Sequence, residues 1–219
     1  MKLKILYEDA HILAVDKPRG VLTVGNKPGQ RNLLNIVKKE YKNVRIRPLH
    51  RLDRGTSGIV LFAKTKECFH KAVEERKFAE SKKTYLALIK GIPTQKRGEI
   101  DFPLASRQDK RKLLPAKTRY NTLRWYRFRE GSVSLVEAII SSGRFHQIRQ
   151  HLAMIHHPLL MDEEYMEKRD FNYYRKIIPF GHFYLHAEKI AFKHFITEKS
   201  LEITAKIPKE FKKALSLFD

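Results

Sequence analysis

The stretch HRLDRGTSGIVLFAK, residues 50–64, sets one carboxylate, Asp53, between Arg51 and Arg54, follows it with small residues and ends in an apolar run. Its second half, GIVLFAK (58–64), has the length and β-branched content of a buried strand. The residues before it, Gly55, Thr56, Ser57 and Gly58, are turn formers that shape the entry into that strand. Pro48 forces an extended approach from the other side. In an extended segment Arg51 and Asp53 face one way and Leu52 the other, so Leu52 can anchor in a core while the charged pair faces a cleft. A carboxylate at the mouth of a core strand is held rigidly and can still be reached. The neighbouring guanidinium groups favour its ionised form, which suits a nucleophile or base rather than a general acid. Taken alone, these residues fit a structural ion pair better than a reactive centre.

The rest of the composition bears on what could reach such a carboxylate. The chain has 219 residues, with Lys+Arg 45 against Asp+Glu 24 and a formal net charge of +21. That length suits one large domain with a sizeable core, and the 42% hydrophobic content argues against disorder. So strong a basic excess points to a phosphate backbone as partner. No apolar run approaches the roughly 18 residues of a spanning helix, and the N-terminus meets acids and Pro18 too early for a signal peptide. Cys68 is the single cysteine, which excludes an intrachain disulfide and fits a reducing cytoplasm. HQIRQH (146–151) and His156-His157 have no recognisable ligand spacing, and GNKPG (25–29) matches no phosphate-loop fingerprint, so neither metal nor cofactor is expected.

Working outward, KILYEDAHILAVDKP (4–18) reads as two strands about a turn at Glu8-Asp9, and DKPRG (16–20) as a turn carrying two cations. NLLNIVKKEY (32–41) has helical spacing at Leu33, Ile36, Val37 and Tyr41. KECFHKAVEERKFAE (66–80) reads as one helix with Phe69, Val73 and Phe78 as its stripe. KTYLALIKGI (83–92) alternates as a strand, GEIDFPL (98–104) is a short edge strand, and RQDKRKLLPAK (107–117) is a basic loop suited to phosphate contact. TRYNTLRWYRF (118–128) and SVSLVEAII (132–140) are strands about Glu130-Gly131, GRFHQIRQHLAMI (143–155) turns into a helix, and residues 162–182 read as a long loop. FYLHAEKIAF and SLEITAKI form a hairpin, and KEFKKALSLF is a terminal helix. Many strands with few helices between them imply an α+β fold, a mixed or antiparallel sheet flanked by helices.

HRLDRGTSGIVLFAK resembles the segment around the catalytic aspartate of the RluA family of pseudouridine synthases. DKPRGVLTV resembles that family's Lys-Pro-x-Gly segment, KKTYLALIKG its tyrosine-bearing strand, SGRFHQIRQHLAMIHHPLLMD its Gly-Arg-x-His-Gln-Ile-Arg block, and LHAEKIAF its Leu-His-Ala strand. The likeness runs from about residue 5 to residue 207. It implies one pseudouridine synthase catalytic domain over 1–219, of the short form without an N-terminal RNA-binding domain. It further implies isomerisation of uridine in RNA, with no cofactor and no metal. By resemblance Asp53 is the catalytic carboxylate, Tyr85 lies against the target base, and Arg149 is the arginine that pairs with the aspartate. Arg51 either occupies the space left by a flipped base or binds phosphate, and Leu185 is either a wall of the uracil pocket or a plain core leucine.

The chain departs from the family's pattern at two glycines. Gly-His-Pro reads His156-His157-Pro158, and Gly-Asp reads Met161-Asp162. A glycosidic hydrolase would call for a second carboxylate acting through water, and Glu137 and Asp162 are the nearest candidates. A non-catalytic RNA-binding module would need only charge and stacking rings, but the joint presence of Asp53, Tyr85 and Arg149 speaks against it. The expected partner is a tRNA or rRNA hairpin loop, with a tRNA stem-loop favoured. The expected protein is cytoplasmic and monomeric, with no membrane contact and no obligate protein partner.

Overall fold

The computed structural model describes residues 2–25, 30–128, 131–178 and 181–218. The chain divides into two compact units, Met1–Lys83 with Ala187–Lys206, and Thr84–His186 with Ile207–Asp219.

In the first unit Ile5–Glu8 (β1) and Ile12–Lys17 (β2) form the expected hairpin. Leu33–Glu40 (α1) follows, started by Asn32, whose side chain accepts the Asn35 N–H at 2.9 Å. Arg47–Pro48 (β3) leads toward Ser57–Ala63 (β4), every residue of which is buried. β4 pairs antiparallel with β2, setting Ile12 opposite Ala63 and Lys17 opposite Gly58. Ile59, Leu61 and Ala63 share a core cluster with Ile12, Ala14 and Leu49. Ile190 and Phe192 of Leu185–Lys193 (β11) and Ile203 of Ser200–Thr204 (β12) belong to the same cluster. β11 and β12 form the predicted hairpin, with Ile190 opposite Ile203.

Residues 66–80 do not make the single helix the sequence predicts. Lys66–Phe69 (α2) passes into a π turn at His70–Glu74, Arg76 turns left-handed, and a 3-10 turn covers Lys77–Glu80. Val73 is exposed, whereas Cys68 and Ala72 are buried. The reason is spacing: Cys68 and Ala72 stand four apart on one helical face, while steps of four and five from Phe69 through Val73 to Phe78 drift off it.

The second unit holds most of Lys82–Lys90 (β5), then Arg97–Asp101 (β6), Leu104–Ala105 (β7), Leu113–Leu114 (β8), Lys117–Phe128 (β9) and Gly131–Ile140 (β10). Its strand order is β5-β10-β9-β6. β5 is buried from Lys83 through Ile89 rather than alternating, as a strand covered on both faces must be. The basic segment 107–117 is more than a loop: β8 folds back on β7 as a small antiparallel hairpin. Gln147–Met154 (α3), Lys168–Ile177 (α4) and Lys209–Leu215 (α5) complete the unit.

α4 falls inside the segment read as a long loop. Its inward stripe is Phe171, Tyr174 and the following Ile178, at helical intervals, and the Tyr174 hydroxyl donates to Ser132 O at 3.2 Å. Rings with polar tips carry the stripe, so the segment looks polar in sequence. Glu130 and residues 26–29 of GNKPG lie outside the described residues. Strands with helices packed beside them make the fold α+β, as the strand-rich sequence implies.

Candidate active site

In the first unit Asp53 opens a tight turn. The Thr56 N–H closes it on Asp53 O at 3.1 Å. Arg51 is exposed, Leu52 buried and Asp53 half-buried, which is the alternation expected of an extended segment. Arg51 carries no ion pair or hydrogen bond among the described residues. Gly58, at the start of β4, has φ +106°, and a Cβ there would stand 2.2 Å from Ala187 O, so only glycine fits.

The backbone on both sides of Asp53 is bound by residues 17–23. Thr23 Oγ1 donates to Leu52 O at 3.1 Å and accepts the Leu52 N–H at 3.0 Å. The Gly20 N–H donates to Arg54 O at 2.8 Å, and Arg54 Nε returns to Gly20 O at 3.1 Å. Lys17, wholly buried, donates through Nζ to Val21 O at 2.7 Å, to Pro18 O at 3.1 Å and to Arg54 O at 3.5 Å. The β2–β4 register brings it there by placing Lys17 across from Gly58. Burial pulls the Lys17 ammonium down to about 7, with Asp53 pulling the other way and Arg19 reinforcing burial.

His50 is a structural group. Burial pulls its imidazole down to about 3, Nε2 accepts the Leu61 N–H at 3.1 Å, and the ring stacks on Phe78 at 5.1 Å. It fixes the start of the Asp53 segment to β4 and stays uncharged near neutral pH.

The other predicted residues lie in the second unit. Tyr85 is a buried residue of β5, and Leu185 is buried at the start of β11. Arg149, on α3, is buried and held flat. Nε and Nη2 donate to Asp162 Oδ2 and Oδ1, each at 2.7 Å, and Nη2 also reaches Glu164 Oε2 at 3.0 Å. Its guanidinium carbon lies 4.9 Å from the Tyr165 ring centroid and 4.4 Å from that of Phe183. Within this unit a two-pronged pairing therefore joins Arg149 to Asp162. Burial would raise the Glu164 carboxyl, but His146, Tyr165 and Arg149 outweigh it and hold the group low.

The two lost glycines keep a glycine's backbone. His156 has φ +63° and Met161 φ +64°, both left-handed. The turn that presents Asp162 to Arg149 is therefore retained, and Met161 packs inward with Leu160 and Met166.

Sequence reasoning passed over the roles of Lys17 and Thr23, and it raised Asp162 only as a hydrolase's second carboxylate, not as a partner of Arg149. The Lys-Pro-x-Gly segment carried a signal for the first two, since a motif ahead of a turn it does not touch in sequence must touch it in space. Among the described residues no three His, Cys, Asp or Glu side chains are grouped to hold a metal ion. His151 instead makes structural bonds to Thr118 Oγ1 at 2.9 Å and Phe102 O at 3.0 Å.

The model of the RNA pseudouridylate synthase family matches residues 11–154. The dual-specificity RNA pseudouridine synthase RluA of Pasteurella multocida is 33% identical, over 93% of this chain and 92% of that protein. The tRNA pseudouridine synthase C of Haemophilus influenzae is 28% identical, over 99% of this chain and 98% of that protein. Among solved structures, human RNA pseudouridylate synthase domain containing 4 superposes with a TM-score of 0.79 at 22% identity, over 98% of this chain and 92% of that one. At that identity the superposition speaks for the fold, and the family model together with the 33% identical relative shows the family.

Proposed function

The chain belongs to the RNA pseudouridylate synthase family and is an RNA pseudouridine synthase of the RluA type, and we propose that Asp53 is the carboxylate on which its chemistry depends. The isomerisation breaks the N1–C1′ bond of a uridine, rotates the base and joins C5 to C1′, with the C5 proton lost and N1 protonated. Attack at C1′, addition at C6 and removal of a ribose proton all require an ionised carboxylate beside an extruded nucleotide. The observation that supports the reading is the clamp: residues on both sides of Asp53 are bonded to 17–23 and to β4, so the backbone that bears the carboxylate is held before substrate arrives. We assign Tyr85 to stacking on the target base and to the C5 proton, Arg149 to orienting the carboxylate, Leu185 to the wall of the uracil pocket, and the exposed Arg51 to the RNA.

The substrate we favour is a uridine in a hairpin loop, of tRNA before rRNA. Extruding a nucleotide costs least where it is already unpaired, and the basic β7–β8 hairpin suits the backbone of a folded loop. Residues 1–219 act as one catalytic domain, a cytoplasmic monomer that needs neither metal nor cofactor. The test is tritium release from 5-tritiated uridine in a tRNA pool and, separately, in protein-free large-subunit rRNA, before and after EDTA and desalting. Asp53→Asn should slow release by at least about three orders of magnitude while RNA binding stays within about tenfold. Near-normal turnover by that variant would sink the assignment, and modification confined to rRNA would reverse the substrate preference.

A further inference from the structure

Strand β9 breaks its own alternation. Arg124 pairs with Leu135 and Thr122 with Val136, so Leu123 is an extra residue, a β-bulge. The consequence is three consecutive exposed side chains, Leu123, Arg124 and Trp125, of which Leu123 is 47% and Trp125 53% exposed. An exposed indole and leucine on a long strand are costly to leave in water, and a bulge that aims them outward is a built feature rather than a defect.

The bulge borders a hollow of about 480 Å³ in the second unit, lined by Ile92, Pro93, Thr94 and Lys96 from the β5–β6 connection and by Thr122 through Trp125. Its chemistry is uneven in a specific way. Apolar surface comes from Ile92, Pro93, Leu123 and the Trp125 ring, cations come from Lys96 and Arg124, and no acid among the described residues lines it. Arg127 lies 5.3 Å from the Trp125 ring centroid and adds a third positive charge. Thr122 is buried and its Oγ1 has no hydrogen-bond partner among the described residues, the kind of group that the polar edge of a ligand satisfies. A flat ring beside cations, with no carboxylate, recognises a flat anionic ligand: an unpaired nucleotide, its base on the indole and its phosphate on Lys96 and Arg124.

We propose that the hollow beneath Trp125 is a second nucleotide-binding subsite, which stacks one unpaired base of the substrate RNA outside the catalytic position. The inference rests on the RNA reading above and deepens it, by naming where the enzyme grips a loop besides the uridine it converts. The base held on Trp125 is by this reading not the one converted, so the contribution of Trp125 falls on affinity and not on the chemical step.

Trp125 is the chain's one tryptophan, so its fluorescence reports on this hollow. The experiment titrates the full-length protein with a tRNA anticodon-arm hairpin and with a blunt RNA duplex, then measures single-turnover rates at saturating hairpin. Hairpin RNA should quench the emission and duplex should not. Trp125→Ala should weaken hairpin binding by about 5- to 150-fold, the range for loss of one stacked base, and leave the single-turnover rate unchanged. Trp125→Phe should restore most of the affinity, and Lys96→Ala should lower the salt dependence of binding by about one counterion. Unchanged affinity in Trp125→Ala, or a slowed chemical step at full affinity, would overturn the subsite. So would emission that no RNA quenches, which would leave the surface to a protein partner. Pseudouridine formation by the unaltered protein separates the two readings: present with Trp125→Ala binding normally, only the subsite fails; absent with quenching intact, only the catalytic reading fails.

Discussion

Arg149 and Asp162 share two parallel hydrogen bonds of 2.7 Å, and Asp162 has no solvent exposure. A planar guanidinium matches a carboxylate in this way and an ammonium does not. Removing either partner leaves the other buried and uncompensated, at about 3–5 kcal/mol. Asp162→Asn should therefore lower the melting temperature by roughly 10 °C, and Arg149→Lys, which keeps the charge but loses the fork, should lower it by less. Both should also slow single-turnover pseudouridine formation at 20 °C, where the variants remain folded by circular dichroism. Arg149→Lys with more than about half of normal turnover would contradict the two-pronged reading.

Lys17 makes stability depend on pH through a sign that can be worked out. Burial holds the folded amine near 7, while the unfolded amine keeps its proton to about 10.4. Between those values the unfolded chain binds a proton that the folded chain does not, so this group's contribution to stability rises with pH across that window. Below pH 7 both states are protonated and the folded state bears the whole penalty of a buried charge. From pH 7 to pH 9 the unaltered protein should gain roughly 2 kcal/mol relative to Lys17→Met, which fills the same space without titrating. Melting curves of the two proteins at both pH values give the comparison, and parallel shifts would show that Lys17 is not titrating there.

His156 and Met161 occupy left-handed backbone that costs an L-residue about 1–2 kcal/mol. They differ in what their side chains do. His156 is exposed, so His156→Gly relieves strain and should raise the melting temperature by about 1–3 °C. Met161 is packed in the core, so Met161→Gly loses about 2–5 kcal/mol of burial and should lower it. Shifts of the same sign in both variants would refute the strain account.

What was legible in the sequence followed from locality. Residues 50–64 declared an extended segment, a turn and a buried strand because each signal lies within a few residues of its effect. α4 was hidden because its stripe is Phe171 and Tyr174, rings that score as loop-like beside so many charges. The break after α2 was hidden because three apolar residues near helical spacing look like a stripe until the steps are counted. Lys17 and Asp162 were harder still. Lys17 meets the Asp53 turn only through the β2–β4 register, and Asp162 meets Arg149 only through a turn whose glycines this chain lacks. Spacing along one segment cannot report contacts that depend on the pairing of two.

The clamp on Asp53 gives the sharpest test of positioning as distinct from stability. Thr23 Oγ1 serves both backbone groups of Leu52, the residue before Asp53. Thr23→Val keeps the shape and leaves a buried N–H and C=O without partners, each at about 1–3 kcal/mol. The segment can relieve that cost only by moving, which displaces the carboxylate, and small displacements of a reacting group are expensive in rate. Thr23→Val should therefore slow single-turnover pseudouridine formation by about tenfold to a hundredfold while hairpin binding stays within a factor of about two. Thr23→Ser, which keeps the hydroxyl, should recover most of the rate even where its melting temperature stays below that of the unaltered protein. If Thr23→Ser and Thr23→Val are slowed alike, or if the rate loss tracks melting temperature across both, Thr23 is holding the fold and not the carboxylate.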